Sequence, residues 1–152
     1  MPKKILVAVD MGKLSEQLVD YGHSVASRLD VEVSFLHVLP HPTVWKGFEK
    51  WIPEGALKQA KESAEKKIRY YIRKAEEKFP DLPGHEHKII FAEGNPSEEI
   101  IKTAKEGDYN LVILGYRGTS TIEGMIVGST ASNVTRYAHC SVLIFRPGFD
   151  VF

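Results

Sequence analysis

Short runs of apolar residues alternate with longer amphipathic segments along this chain. Five runs have strand length and are rich in β-branched residues, as expected of strands buried on both faces of a sheet: 4–10, 31–39, 87–92, 110–114 and 141–145. Four segments between them carry apolar residues at helical spacing: 15–29, 55–79, 95–107 and 129–138. This alternation predicts an α/β fold, an open doubly wound five-stranded parallel sheet with helices on both faces.

Residues typical of helix ends support two of these helix boundaries. Ser15 is predicted to be the N-cap of the first helix. In the third, Asn95 has the place of the N-cap, Pro96 the first helical position and Glu98 the third position of a capping box. Gly107 is predicted to end that helix.

Length and composition restrict the class of protein. The 152 residues predict one domain, 1–152. Lysine plus arginine equals aspartate plus glutamate, 20 of each, which argues against nucleic acid as an obligatory partner. A single cysteine, Cys140, excludes an internal disulfide and suits a reducing compartment. No segment approaches the ~20 apolar residues of a membrane span, and no apolar stretch of signal-peptide length is found at the N-terminus. We therefore expect a cytoplasmic protein with no membrane partner.

The strongest candidate for a binding site is the glycine-rich segment after the fourth strand. Gly115 ends that strand, Gly118 follows three residues later, and Gly128 closes the loop before a helix. Glycine lets a chain approach a ligand closely or adopt positive φ, and a helix start offers N–H groups and a positive dipole end to an anion. Three neighbouring side chains suit phosphate oxygens: Arg117, Ser129 and Thr130.

The spacing of these glycines, G-x2-G-x9-G-S, differs from the Walker A and dinucleotide-binding motifs. It resembles the ATP-binding branch of the universal stress protein family. Three other segments share this resemblance in the same order along the chain: residues 5–10 (ILVAVD), 93–96 (EGNP) and 138–144 (AHCSVLI). The resemblance implies the strand order 3-2-1-4-5, in which the ends of strands 1 and 4 flank the topological switch point where such sheets bind ligands.

The ligand implied by the resemblance is ATP, with Mg²⁺ or Mn²⁺ held through its phosphates. Asp10 is expected to accept hydrogen bonds from the ribose hydroxyls, and the alternative is that it caps the following helix. The adenine is expected beside Val9 and Val38, where backbone groups recognise its edge and Leu114 forms an apolar wall. Ala131 replaces a second hydroxyl residue that many relatives carry, so fewer contacts are expected for the outer phosphate.

Other residues with chemical potential give weaker signals. His85 and His87 lie on one face of a predicted strand, which suits a metal, although an ordinary surface strand is the favoured interpretation. His37, among apolar residues, is interpreted as a hydrogen-bonded core histidine, and Cys140 has no neighbouring base to activate it. The segment Trp45–Trp51 is interpreted as an aromatic loop packed on the domain, with a lid or partner surface as the alternative.

The fifth strand, Ser141–Phe145, is expected at the edge of the sheet. It carries no charge, so its bare edge would invite association. We expect a homodimer in which this strand pairs with its own copy. The alternative is that the tail Phe149–Phe152 covers the edge.

Three functions remain open at this point. The first is an ATP-binding regulatory or stress-response protein that acts as a dimeric nucleotide-dependent switch or sensor. The second is a slow ATPase or autophosphorylating enzyme, and the third is a dimeric scaffold that binds no nucleotide. The sequence suggests no general base for a water and no pair of metal-binding carboxylates, so we assign no catalytic residue and expect at most slow hydrolysis.

Overall fold

The structure is a computed structural model, and it describes residues 2–39, 55–80, 87–116 and 127–148. The strands are β1 (Lys4–Ala8), β2 (Glu32–Leu39), β3 (His87–Glu93), β4 (Leu111–Gly115) and β5 (Ser141–Phe145). The helices are α1 (Ser15–Leu29), α2 (Ala56–Lys78), α3 (Pro96–Glu106) and α4 (Ser129–Tyr137). The predicted bounds differ from these by at most two residues. The aromatic segment Trp45–Trp51 and the tail Phe149–Phe152 lie outside the described residues.

The five strands form one parallel sheet in the order β3-β2-β1-β4-β5. The predicted fold and strand order are therefore confirmed. The chain runs from β1 outwards to β3 and then returns to β4, so the direction of winding reverses between β1 and β4. Ligands of open α/β sheets bind outside the carboxyl ends of the strands at such a switch point.

Helices cover both faces of the sheet, which explains the nearly continuous apolar runs of the central strands. In β1, Ile5 and Val7 belong to the core under α1 and α2. The alternating residues Leu6 and Ala8 belong to a second core under α3 and α4. Val7 and Leu6 are both fully buried. Because successive side chains of a strand point to opposite faces of the sheet, β1 contributes residues to both cores.

Helix α1 approaches β1 closely because Gly22 lies between them. A Cβ added at Gly22 would lie only 2.6 Å from Cγ2 of Val7, a distance that requires one of the two elements to shift. The absence of a side chain there lets the helix lie low on the sheet. This packing holds the turn between β1 and α1 at the carboxyl edge of the sheet.

The longest described helix, α2, has 23 residues and buries only one narrow stripe. That stripe consists of small and aliphatic residues at helical spacing: Ala64, Ile68, Ile72 and Ala75. Its outer surface carries charges, including the Glu65–Arg69 ion pair at 3.0 Å. No helix within the described ranges has the length and apolar character needed to cross a membrane.

The predicted N-cap is confirmed for α3 and wrong for α1. The side chain of Asn95 accepts the N–H of Glu98 at 3.2 Å, and Gly107 is the C-cap. In α1, however, the N-cap is Leu14, and Ser15 is the first helical residue. Leu14 already has a helical backbone, with φ −89° and ψ −3°, so the helix boundary lies one residue earlier than the serine suggested.

Candidate functional site

The turn after β1 is organised by the carboxylate of Asp10. Its Oδ1 accepts the backbone N–H of Gly12 at 2.9 Å and lies 3.5 Å from Oγ of Ser15. Met11 between them has φ +66°, a left-handed conformation that is uncommon outside glycine. Among the described residues both turn contacts use Oδ1, and the side chain of Asp10 is exposed. The turn therefore engages one carboxylate oxygen and presents the side chain to solvent at the switch point.

The end of β4 is joined directly to the start of α4. The N–H of Tyr116 donates to the carbonyl of Phe145 at 3.1 Å, which extends the pairing of β4 with β5 by one bond. The N–H of Gly128 then donates to the carbonyl of Tyr116 at 2.7 Å. The structure thus brings Gly115 and Gly128 to the same edge of the sheet. Arg117 and Gly118 lie outside the described residues.

The amino end of α4 presents backbone N–H groups that have no partner within the helix. The first helical hydrogen bond runs from Ser132 to the carbonyl of Gly128 at 3.0 Å, so the N–H groups of Ser129, Thr130 and Ala131 precede the helical ladder. The first turn carries no acidic side chain. Such an end attracts anions through its N–H groups and the helix dipole.

Two details of this helix start refine the sequence prediction. Gly128 has φ −68° and ψ 161°, a conformation open to any residue, so positive φ is not what glycine supplies there. The other predicted reason for a glycine still applies: because Gly128 has no side chain, a ligand can approach the main chain closely. The side chain of Ala131 is buried at 2% exposure in the core under α3 and α4, whereas Ser129 is exposed.

The residues predicted for the adenine lie at the carboxyl edge of three neighbouring strands. Ala8 is in register with Leu114 of β4 and Leu36 of β2, so Val9 follows at their common edge. The side chains of Val9 and Leu114 are buried, at 2% and 3% exposure. Val38 is half-buried and packs on the core under α3 and α4. Val9 and Leu114 therefore expose little apolar surface at this edge.

One cation at this edge was not predicted as a site residue from the sequence. Arg146 directly follows β5, and its guanidinium lies over the ring of Tyr116, 5.1 Å from the ring centre. Because it follows a strand, it belongs to the same carboxyl edge as Gly115. The position of Arg146 directly after the last apolar run could have indicated this, but in the sequence prediction it served only to mark the end of the strand.

Comparison with known proteins now identifies the family. The sequence model described as the universal stress protein family matches residues 1–146. The chain belongs to this family. The universal stress protein YxiE of Bacillus subtilis is 30% identical to it over 149 residues, which cover 96% of this chain and 100% of the relative.

Solved structures of universal stress proteins share the fold. The protein UspA from Lactobacillus plantarum has a TM-score of 0.72 at 22% identity, covering 95% of this chain and 97% of its own. A universal stress protein from Archaeoglobus fulgidus in complex with dAMP has a TM-score of 0.64 at 23% identity, covering 95% and 98%. At these identities the likeness establishes the architecture.

In this universal stress protein, His87 is not the surface residue that the sequence suggested. Its side chain is only 7% exposed, and its Nε2 lies 2.8 Å from Nδ1 of His23 in α1. Its Nδ1 lies 3.4 Å from a carboxylate oxygen of Glu76 in α2. The surface-strand interpretation is therefore wrong for His87, because α1 and α2 cover this side of β3. Within the described ranges no three side chains cluster as metal ligands, and His85 lies outside those ranges.

The pocket beside Cys140 lies at the opposite, amino edge of the sheet. It has a volume of about 150 Å³ and six lining residues: Ala104, Lys105, Asp108, Tyr109, His139 and Cys140. Small-molecule sites are typically larger, ~300–1,000 Å³. Burial raises the pKa of the Cys140 thiol, and a backbone hydrogen bond involving Val112 offsets this in part. A raised pKa makes the thiol a poor nucleophile, in line with the non-catalytic interpretation.

Proposed function

We propose that this protein binds an adenine nucleotide, ATP, at the carboxyl ends of β1 and β4 and acts as a dimeric, nucleotide-dependent switch or sensor in a stress response. The observation that supports this most is the hydrogen bond from Gly128 to Tyr116, because it brings the start of α4 to the end of β4. The Asp10 turn lies on the neighbouring strand at the same edge. The single cysteine suits a cytoplasmic location.

The phosphates are assigned to the amino end of α4. Three N–H groups without helical partners and the exposed hydroxyl of Ser129 suit phosphate oxygens. The motif adds Arg117 and Gly118, and we include Arg146 in the proposal because it lies at the same edge. Mg²⁺ commonly binds through phosphate oxygens, waters and few protein ligands. Since no set of three ligands clusters among the described residues, Mg²⁺ or Mn²⁺ would be held mainly through the phosphates.

The nucleoside is assigned to the ends of β1 and β2. Asp10 would accept ribose hydroxyls through Oδ2, while Oδ1 remains bonded to the turn. The main chain of Val38 would recognise the adenine edge, with Val9 and Leu114 forming the apolar surroundings. The Archaeoglobus relative of the same fold holds dAMP, an adenine mononucleotide, which is consistent with this assignment.

Variants of Gly128 test the phosphate assignment by calorimetry. Since any residue can adopt its φ and ψ, Gly128→Val should fold normally. It should weaken the binding of ATP strongly and that of adenosine little, because we assign the phosphates, and not the nucleoside, to this helix start. Gly128→Ala, the matched control, should have a smaller effect. Equal affinity of the wild type and the valine variant for ATP would contradict the assignment.

Hydrolysis is proposed to be absent or slow. No base for water activation was identified among the residues assigned here, and ordinary enzymes turn over at ~1–10³ per second. Steady-state phosphate release above about one per second, abolished by Arg117→Ala, would favour the enzymatic alternative.

The dimer is assigned to β5, which lies at the edge of the sheet. Its residues Val142, Leu143 and Ile144 are only partly buried in the single chain. Pairing with a second copy would satisfy the edge and bury these side chains. The double change Val142→Lys and Ile144→Lys should give a soluble monomer by light scattering. A wild type that is already monomeric at tens of micromolar would refute this assignment.

A further inference from the structure

The hydrogen-bond ladder between β1 and β2 is interrupted at the carboxyl edge. Ala8 is in register with Leu36, and the N–H of Val9 still donates to the carbonyl of Leu36 at 2.8 Å. In a regular parallel ladder the carbonyl of Val9 would next accept from the N–H of Val38. Among the described residues it accepts instead from Nδ1 of the His37 side chain, at 2.7 Å.

The imidazole of His37 is well placed to hold this carbonyl. The residue is 9% exposed, and its ring packs edge-on against Phe91 with 6.3 Å between ring centres. A carbonyl oxygen can only accept, so Nδ1 must carry the hydrogen. The bond therefore determines both the orientation of the ring and the position of its proton.

This contact changes what the main chain of Val38 can bind. Along a strand, alternate residues direct their N–H and C=O groups to opposite neighbours. The carbonyl of Leu36 bonds towards β1, whereas that of Leu39 accepts the N–H of Gly94 on the β3 side at 2.9 Å. Val38 has the orientation of Leu36 and so faces the side of β1. Because β1 ends there and the carbonyl of Val9 accepts from His37, the polar groups of Val38 have no ladder partner on β1 among the described residues, and they lie at the carboxyl edge of the sheet.

We propose that His37 is a positioning residue for base recognition, an inference that rests on the nucleotide-binding function proposed above. By holding the carbonyl of Val9, its imidazole leaves the N–H and C=O of Val38 available to adenine. Adenine offers a ring-nitrogen acceptor beside its N6 amino donor, which complements one N–H and one C=O. Guanine carries the O6 acceptor in place of that donor, so the carbonyl of Val38 would face another acceptor. The arrangement selects adenine over guanine.

Two variants separate the hydrogen bond from the shape of the side chain. His37→Phe keeps an aromatic ring but removes the donor. His37→Asn keeps an N–H donor one bond from Cγ, the position of Nδ1. The wild type should bind ATP more tightly than GTP, and the phenylalanine variant should lower this preference roughly tenfold. The asparagine variant should restore it, and inorganic tripolyphosphate should bind all three proteins equally.

Hydrogen exchange of the Val38 amide tests the same inference without a ligand. The amide should exchange quickly in the wild type and in His37→Asn. It should be protected in His37→Phe, where Val38 can donate to Val9. A protected amide in the wild type, or an unchanged ATP-to-GTP preference in the phenylalanine variant, would overturn the role of His37 while ATP binding stands. Failure of the wild type to bind ATP would overturn the proposed function, and the role of His37 with it.

Discussion

The change Asp10→Asn separates the two roles that we assign to one carboxylate. In the structure Oδ1 accepts the N–H of Gly12, and we assign Oδ2 to the ribose hydroxyls. Asparagine retains one carbonyl oxygen, which the N–H of Gly12 will select, and it turns its amide NH₂, which cannot accept a hydrogen bond, towards the ribose. The turn should therefore survive while ribose binding is lost.

The expected magnitudes follow from these contacts. A hydrogen bond to a charged group contributes about 1.5–3 kcal/mol, so Asp10→Asn should lower the affinity for ATP about 10- to 150-fold. Its free energy of unfolding should stay within about 0.5 kcal/mol of the wild type, since the turn keeps its acceptor. Asp10→Ala removes both oxygens and should also lower the stability by about 1 kcal/mol.

Calorimetry with two ligands measures the ribose contribution directly. ATP and its 2′,3′-dideoxy analogue are titrated into the wild type and both variants, and urea unfolding gives the stability of each. The wild type should prefer ATP, whereas the asparagine variant should bind both ligands with similar affinity. The ribose assignment would be refuted if the asparagine variant bound ATP as tightly as the wild type. It would also be refuted if the affinity for the dideoxy analogue fell as much as the affinity for ATP.

Three further predictions concern the scaffold. Gly22→Ala should lower stability, because its Cβ would lie 2.6 Å from Val7 and overpacking costs about 1–3 kcal/mol. In a Val7→Ala background the same change should be neutral or stabilising in urea unfolding. Asn95→Ala should cost about 1 kcal/mol through loss of the helix cap, and Asn95→Asp should not; equal unfolding midpoints for all three proteins would contradict this. Cys140 should react with iodoacetamide more slowly in the folded than in the unfolded chain, because burial raises its pKa; equal rates would contradict this.

Much of the architecture was predictable because a sheet covered on both faces leaves a simple pattern. The bounds of β5, Ser141–Phe145, agree with its apolar run, and the cap at Asn95 follows from local side-chain chemistry. The strand order could not be predicted in this way, because apolar runs do not indicate which strands are neighbours. Here the order came from the family resemblance, and the structure confirms it.

The features that sequence reasoning missed depend on contacts between distant residues. His23 and His87 are 64 residues apart, and a histidine at the start of a polar-flanked strand gives no sign that a helix covers it. The interruption of the ladder at Val9 could not be predicted either, because the sequence does not indicate which donor bonds to the carbonyl of Val9. His37 was expected to be a hydrogen-bonded core residue, which is confirmed, but its partner was visible only in the fold.

The central claim, that the carboxyl edge of the sheet binds an adenine nucleotide, is tested most directly by titrating ATP into the full-length protein and following backbone amide signals by NMR. The account predicts that saturating ATP shifts the amides of Val38, Gly128, Ser129 and Thr130. The amide of Cys140, at the opposite edge, should stay unchanged and serves as the internal control. No shifts at millimolar ATP, or shifts gathered around Cys140, would contradict it.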